Sequence, residues 1–147
     1  TNGTILKAFV NNASVDAIDL DFSNIEFFEL KVDESGNDCI DFSYGNYVLN
    51  NSFLNKGGDK AISVGESSLL KIDKLKISNS SMGIASKDSS LTELSWGYMD
   101  QVGTCVAAYK KKQEFNGGFF NIRDLVCENY DSFSNIDKYS KITYKND

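Results

Sequence analysis

Five residues at one fixed step constrain this chain more than any other feature: Ile18, Ile40, Ile62, Ile84 and Val106 follow one another at intervals of 22. Each lies in a short apolar segment: Ala17-Ile18-Asp19-Leu20, Cys39-Ile40-Asp41-Phe42, Ala61-Ile62-Ser63-Val64, Gly83-Ile84-Ala85-Ser86 and Cys105-Val106-Ala107-Ala108. A fixed period of this kind marks a solenoid, in which a repeat buries its apolar face only against its neighbours. Paired-helix repeats need a longer period, of roughly 33 residues or more. The segments alternate apolar and polar residues and favour β-branched and aromatic side chains, as strands do. Three short strands joined by turns at Gly, Asn, Asp and Ser fill about 22 residues, and stacking such coils sets equivalent positions about 4.8 Å apart. The expected fold is all-β, a parallel β-helix (solenoid) with 22-residue rungs, about six to seven of them.

Further columns carry the same period. Phe9, Phe53, Leu75 and Phe119 share one phase, interrupted by Lys31 and Gly97. Ala17, Cys39, Ala61, Gly83, Cys105 and Cys127 form a column of small residues that accounts for all three cysteines as buried packing. Cys105 and Cys127 would face each other in adjacent rungs at a separation that permits a disulfide, so free and bonded thiols both remain open. Asn11, Asp33, Asn55 and Asn121, with Ile77 and Met99 between them, read as a broken polar ladder at a turn. The chain is expected to be one domain over 1–147, with an opening segment 1–15 and regular rungs over 16–125 almost free of insertions. The stretch 126–147 leaves register, since Glu128 stands where the Ile column should continue. That stretch is expected to be a cap or a truncated continuation, and the solenoid ends leave end-to-end self-association open.

Charge excludes one class of partner. Twenty-one acidic residues against 15 basic ones give a net charge of −6, and Arg123 is the only arginine. Affinity for a phosphate backbone comes from Lys and Arg, so nucleic acid is not an expected partner. No apolar run reaches the length of a membrane span.

The rungs Asp16-Ala-Ile-Asp-Leu-Asp-Phe22, Gly36-Asn-Asp-Cys-Ile-Asp-Phe42, Gly58-Asp-Lys-Ala-Ile-Ser-Val-Gly-Glu66 and Met82-Gly-Ile-Ala-Ser-Lys-Asp88 resemble right-handed parallel β-helix repeats of the pectate-lyase-like superfamily. The resemblance covers residues 16 to 125 and implies a right-handed coil. It fixes no activity, because that fold hosts lyases, hydrolases, epimerases, adhesins and non-catalytic repeats. A carbohydrate polymer lying along the helix is the partner it implies most often.

The repeat gathers one charged constellation. Asp19 and Asp41 stack in one column with Ser63 next, Asp16, Asp38 and Lys60 stack in another, and Asp21, Glu66, Lys87 and Asp88 lie beside them. Like charges about 5 Å apart require solvation, a paired lysine, a shared proton or a bound cation. Lysine pairing would set Lys60 against Asp38 and Lys87 against Glu66 or Asp88. Calcium suits hard oxygen ligands from neighbouring rungs, with Asp19, Asp41 and Glu66 as the expected set. Similarity to the superfamily's lyases and epimerases implies a base that removes the proton beside a uronate carboxylate while a cation neutralises that carboxylate. Lys60, Lys87 and Glu66 are the candidate catalytic residues for it. Asn37-Asp38-Cys39-Ile40 is similar to the Asp-Asp-Cys motif of galacturonases, but this chain lacks the histidine those enzymes carry.

The absence of histidine, the single arginine and the even repeat remove most of the usual catalytic groups while leaving the scaffold. The expected function is a non-catalytic carbohydrate-associated or structural module, part of a longer secreted or surface protein and so extracellular or at the cell surface. It needs no cofactor, and Asp16, Asp19, Asp21, Asp38, Asp41 and Asp88 form its ligand-binding face for a polysaccharide or surface glycan. A calcium-assisted polysaccharide lyase or epimerase acting on uronate polymers is the alternative.

Overall fold

A computed structural model describes residues 1–145, and every regular element in it is a strand. In chain order these are β1 (Asn2–Ala13), β2 (Ile18–Asp21), β3 (Asn24–Ser35), β4 (Ile40–Ser43), β5 (Asn46–Gly57), β6 (Lys60–Val64), β7 (Leu69–Lys87), β8 (Leu91–Tyr109), β9 (Phe119–Ile136) and β10 (Lys141–Tyr144). The long strands β1, β3, β5, β7, β8 and β9 pair in parallel, each with the next, and β2, β4, β6 and the second half of β7 do the same. The chain is thus a parallel β-solenoid of about six turns, with β10 laid on β9. No described helix is long and apolar enough to cross a membrane.

The hydrophobic columns dictate this arrangement, because a parallel pair in register places like beside like. Ile18, Ile40, Ile62, Ile84 and Val106 stack as the sequence requires. Ile5, Phe27, Leu49, Ile72, Leu94 and Ile122 line a second wall, and Val10, Val32, Leu54, Ile77, Met99 and Cys127 a third. From β3 to β8 the side chains in these walls are at most 2% exposed.

The polar ladder is continuous, contrary to the reading from spacing alone. Asn11, Asp33, Asn55, Ser78, Asp100 and Glu128 pair in sequence, because the β5 to β7 step is 23 residues here and Ile77 and Met99 therefore face inward. Each ladder residue precedes one held at positive φ: Asn12, Glu34, Lys56, Asn79, Gln101 and Asn129, at 53 to 73°. That left-handed backbone is unfavourable for non-glycine residues. Side-chain bonds between rungs offset the cost at this corner. Asn55 Nδ2 donates to Asp33 Oδ1 at 2.9 Å, while Ser78 Oγ and Asn79 Nδ2 donate to Asn55 Oδ1 at 2.8 and 3.0 Å.

Three further expectations change. Residues 1–15 are no separate segment, since β1 is a complete long strand paired with β3. The phase of Phe9 and Phe53 continues through Lys76 and Tyr98, whereas Leu75 pairs with Ser52 and Phe119 with Leu91. The stretch after 125 keeps the repeat: Leu91 pairs with Phe119, a step of 28 in place of 22, so six extra residues follow Tyr109 and the register then resumes. Glu128 consequently continues the polar ladder, and Ser134 takes the place next to Val106.

The same shift moves Cys127 out of the small-residue column and opposite Met99. It nonetheless bonds Cys105, across the interior, with Cα atoms 6.5 Å apart, while Cys39 is a buried free thiol. The bridge closes a loop of 22 residues, and loss of such a constraint costs about 3 kcal/mol. The double variant Cys105→Ala/Cys127→Ala should show that loss in urea unfolding, and reductant should lower the wild-type midpoint without moving the variant's. Asn55→Ala removes three inter-rung bonds and should cost about 1 to 2 kcal/mol in the same assay.

Candidate functional site

The short strands carry the acidic face. Asp19 pairs with Asp41 and Asp41 with Ser63, as their spacing requires. Both aspartates lie outside the ladder of inward isoleucines because successive strand residues point to opposite faces. Asp16 and Asp38 sit one corner earlier and act mainly on backbone. Asp16 Oδ1 accepts the Asp38 amide at 2.9 Å and Asn37 Nδ2 at 2.8 Å, and Asp38 Oδ1 accepts the Lys60 amide at 3.0 Å. Each carboxylate thus holds the N–H of the residue one rung on. Such amides would otherwise be unpaired at a turn.

Carboxylate oxygens of Asp16, Asp38 and Asp41 lie within 4.8 Å of one another. This trio shares only Asp41 with the expected set of Asp19, Asp41 and Glu66. Asp19 is exposed on the same strand row, and Asp21 is exposed at its end, level with Ser43. Glu66 lies at the far corner, where Lys112 Nζ reaches its Oε1 at 2.8 Å. Asp88 is 1% exposed, and its Oδ1 accepts the amides of Lys111 and Lys112 at 2.7 and 2.9 Å.

The lysine pairings differ from those the spacing suggested. Lys60 Nζ binds Asp59, the residue before it, rather than Asp38. Lys87 pairs with neither Glu66 nor Asp88. It is 7% exposed and faces Asp41 across the stack, with Lys60 and Lys111 also near. Burial, the Lys60 charge and Lys111 hold its ammonium below the usual lysine range against the pull of Asp41.

Burial also governs the acids. It raises the Asp41 carboxyl to about 6, an effect that Lys87 and Ser63 offset only in part and that Asp38 and Asp16 strengthen. Asp38 is raised by burial more than the Lys60 amide lowers it, and Asp19, though exposed, is raised by partial desolvation on the strand row and by Asp21 and Asp16. Glu66 goes the other way: burial is outweighed by its bonds to Lys112 and Ser43. Beside Lys60 stands Tyr109, whose phenol burial pushes up.

Sequence reasoning missed Asn37, Asp59, Tyr109 and Lys112. Tyr109 borders the six-residue insertion and Lys112 lies within it, and the segment folds back so that Phe115 packs on Tyr44 with ring centroids 6.2 Å apart. The signal for it was present in the likeness of Phe119-Phe-Asn-Ile122 to Leu91-Thr-Glu-Leu94, which only the 28-residue step aligns. Arg123 lies in β9, where Ile122 and Asp124 pair with Leu94 and Trp96.

Comparison with protein-family models, with curated proteins and with solved structures finds no match to this chain. The chemistry of the face rests on its own geometry.

That geometry makes a pH prediction. The chain has no histidine, and in the window between the ordinary aspartate range and about pH 6 the raised Asp41 carboxyl stays protonated in the folded chain after its unfolded counterpart has ionised. In that window Asp41 holds more proton in the folded state than in the unfolded chain, so its contribution to stability is fully present below the unfolded value and is lost as pH rises through about 6. Thermal melts should show this decline, and Asp41→Asn should flatten it, making the variant about 1 to 2 kcal/mol more stable than wild type at pH 7.5 and no better at pH 4.

Proposed function

We propose that this chain is a non-catalytic, carbohydrate-associated β-helix module of a longer secreted or surface protein, related to the pectate-lyase-like superfamily. The observation that carries the reading is the use made of the acids. Asp16, Asp38 and Asp88 bind backbone amides of following rungs, Glu66 binds Lys112, and Asp59 takes Lys60. Groups so engaged fasten one rung to the next and are poorly placed to turn over a substrate. The Cys105–Cys127 bridge supports the extracellular assignment, since disulfides persist in oxidising compartments.

One observation favours a second reading, the calcium-assisted lyase or epimerase. Lys87 is depressed and set against Asp41 at about 6, two groups pushed toward neutrality beside each other. The oxygens of Asp16, Asp38 and Asp41 have the hard-donor character calcium takes, although Lys60 and Lys87 bring positive charge to the same face. In this reading those three aspartates would hold the cation, which would neutralise a uronate carboxylate. Lys87 would remove the adjacent proton.

Electrophoresis through gels containing soluble polysaccharides, with product analysis of the same polymers, separates the two. The module should be retarded by a polymer without shortening it, equally in calcium and in chelator. Calcium-dependent release of unsaturated uronates that disappears in Lys87→Met would replace this reading with the lyase.

A further inference from the structure

A different wall of the solenoid carries a pattern the acidic face lacks. On the long strands, Lys7, Glu29, Asn51, Lys74, Trp96 and Asp124 form one outward column, and Phe9, Lys31, Phe53, Lys76, Tyr98 and Val126 form the next. Within these two columns, read along the axis, a large exposed aromatic recurs on every second rung: Phe9 on β1, Phe53 on β5 and Trp96 on β8, at 58, 41 and 39% exposure. Lysines occupy the rungs between, Lys31 on β3 and Lys74 with Lys76 on β7. Lys31 Nζ stands 5.3 Å from the Phe9 ring centre and 5.7 Å from that of Phe53.

These twelve positions hold four lysines and two acids, on a chain whose net charge is −6. One of the acids, Glu29, is paired with Lys7 at 3.9 Å. Among the described residues, no carboxylate lies within ion-pair distance of Lys31, Lys74 or Lys76. An open groove of about 600 Å³ runs between Phe53 and Trp96, floored by Ser52 and Leu75 and edged by Lys74 and Lys76. A second depression continues it past Lys31 to Phe9.

Two rungs span about 9.6 Å, the length of a disaccharide in an extended pyranose chain. An aromatic face stacks on the apolar side of a sugar ring, and an uncompensated ammonium in the next rung meets a carboxylate. The geometry points to this wall as the binding site for a linear acidic polysaccharide with one carboxylate per disaccharide, lying along the solenoid axis. The inference rests on the carbohydrate-associated reading above and names its ligand class and its face. Alternation of stacking and charge is the selective element: a uronate on every sugar would set charges against Phe53 and Trp96, and a neutral chain would leave the lysines unmatched.

Calorimetric titration of the full chain with hyaluronan oligosaccharides tests it, with polygalacturonate oligomers and a neutral β-glucan as comparison probes. Hyaluronan should bind tightest, with affinity falling as salt rises. Phe53→Ala and Trp96→Ala should each weaken binding about 10-fold, Trp96→Phe should restore most of it, and Lys74→Ala/Lys76→Ala should weaken it and flatten the salt dependence. Unchanged melting midpoints in these surface variants establish that the fold is intact. Equal binding of the neutral glucan, a preference for polygalacturonate, or wild-type affinity in the Phe53 and Trp96 variants would overturn the assignment. Binding abolished by Asp41→Asn but not by Trp96→Ala would place a glycan on the acidic face, which keeps the module reading and ends this one. Failure of all three polymers to bind would remove both.

Discussion

Everything in this molecule depends on in-register parallel pairing of equivalent positions. In a parallel stack each outward side chain lies about 4.8 Å from its counterpart in the next rung, so any residue type is multiplied into a column. For Ile40, Ile62 and Ile84 that multiplication makes a dry core in which all three are fully buried. For aspartates the same geometry sets like charges together, and the structure must relieve them. Burial with repulsion by Asp38 and Asp16 raises Asp41, while Asp16 and Asp38 are fixed by amides of the next rung.

The corners show the same economy of means. A solenoid turn needs residues in left-handed backbone, and here asparagine, aspartate, glutamate, lysine, glutamine, phenylalanine, tyrosine and serine fill those sites, with no glycine among them in the described residues. Side chains repeated from rung to rung make this tolerable. The Asp33, Asn55 and Ser78 ladder secures one corner. At the other, Phe22 and Tyr44 stack with centroids 4.6 Å apart and planes within 2°. Glycine is needed for close approach instead: a Cβ on Gly36 would stand 1.9 Å from the Ser14 carbonyl oxygen.

Two outward surfaces emerge with opposite character. On the acidic face most charges are committed to the scaffold, through amides, Lys112 or Asp59, so that face reads as the fastening of the coil. On the wall of Phe9, Phe53 and Trp96 only Lys7 meets a carboxylate, that of Glu29, and Lys31 stands between the rings of Phe9 and Phe53. A surface whose charges hold few bonds between rungs is the better place for a ligand.

The sequence by itself determined the repeat, the all-β class, the inward Ile column and the adjacency of Asp19, Asp41 and Ser63, because a 22-residue period with alternating polarity has one economical solution. It also brought Cys105 and Cys127 within possible reach, though by a column that Cys127 does not occupy. Only the tertiary structure decided where the period slips. One residue gained before Leu69 and given back before Met82, and six gained after Tyr109, leave local polarity almost unchanged, yet the first moves the long-strand columns by one position and the second moves everything after it. Those slips turn Ile77 and Met99 inward, complete the polar ladder and align Lys74 with Asn51. Partner choice was equally hidden. Whether Lys60 reaches Asp38 or Asp59, and whether Glu66 meets Lys87 or Lys112, is set by the reach of flexible side chains across rungs and around corners, which spacing along the chain does not encode.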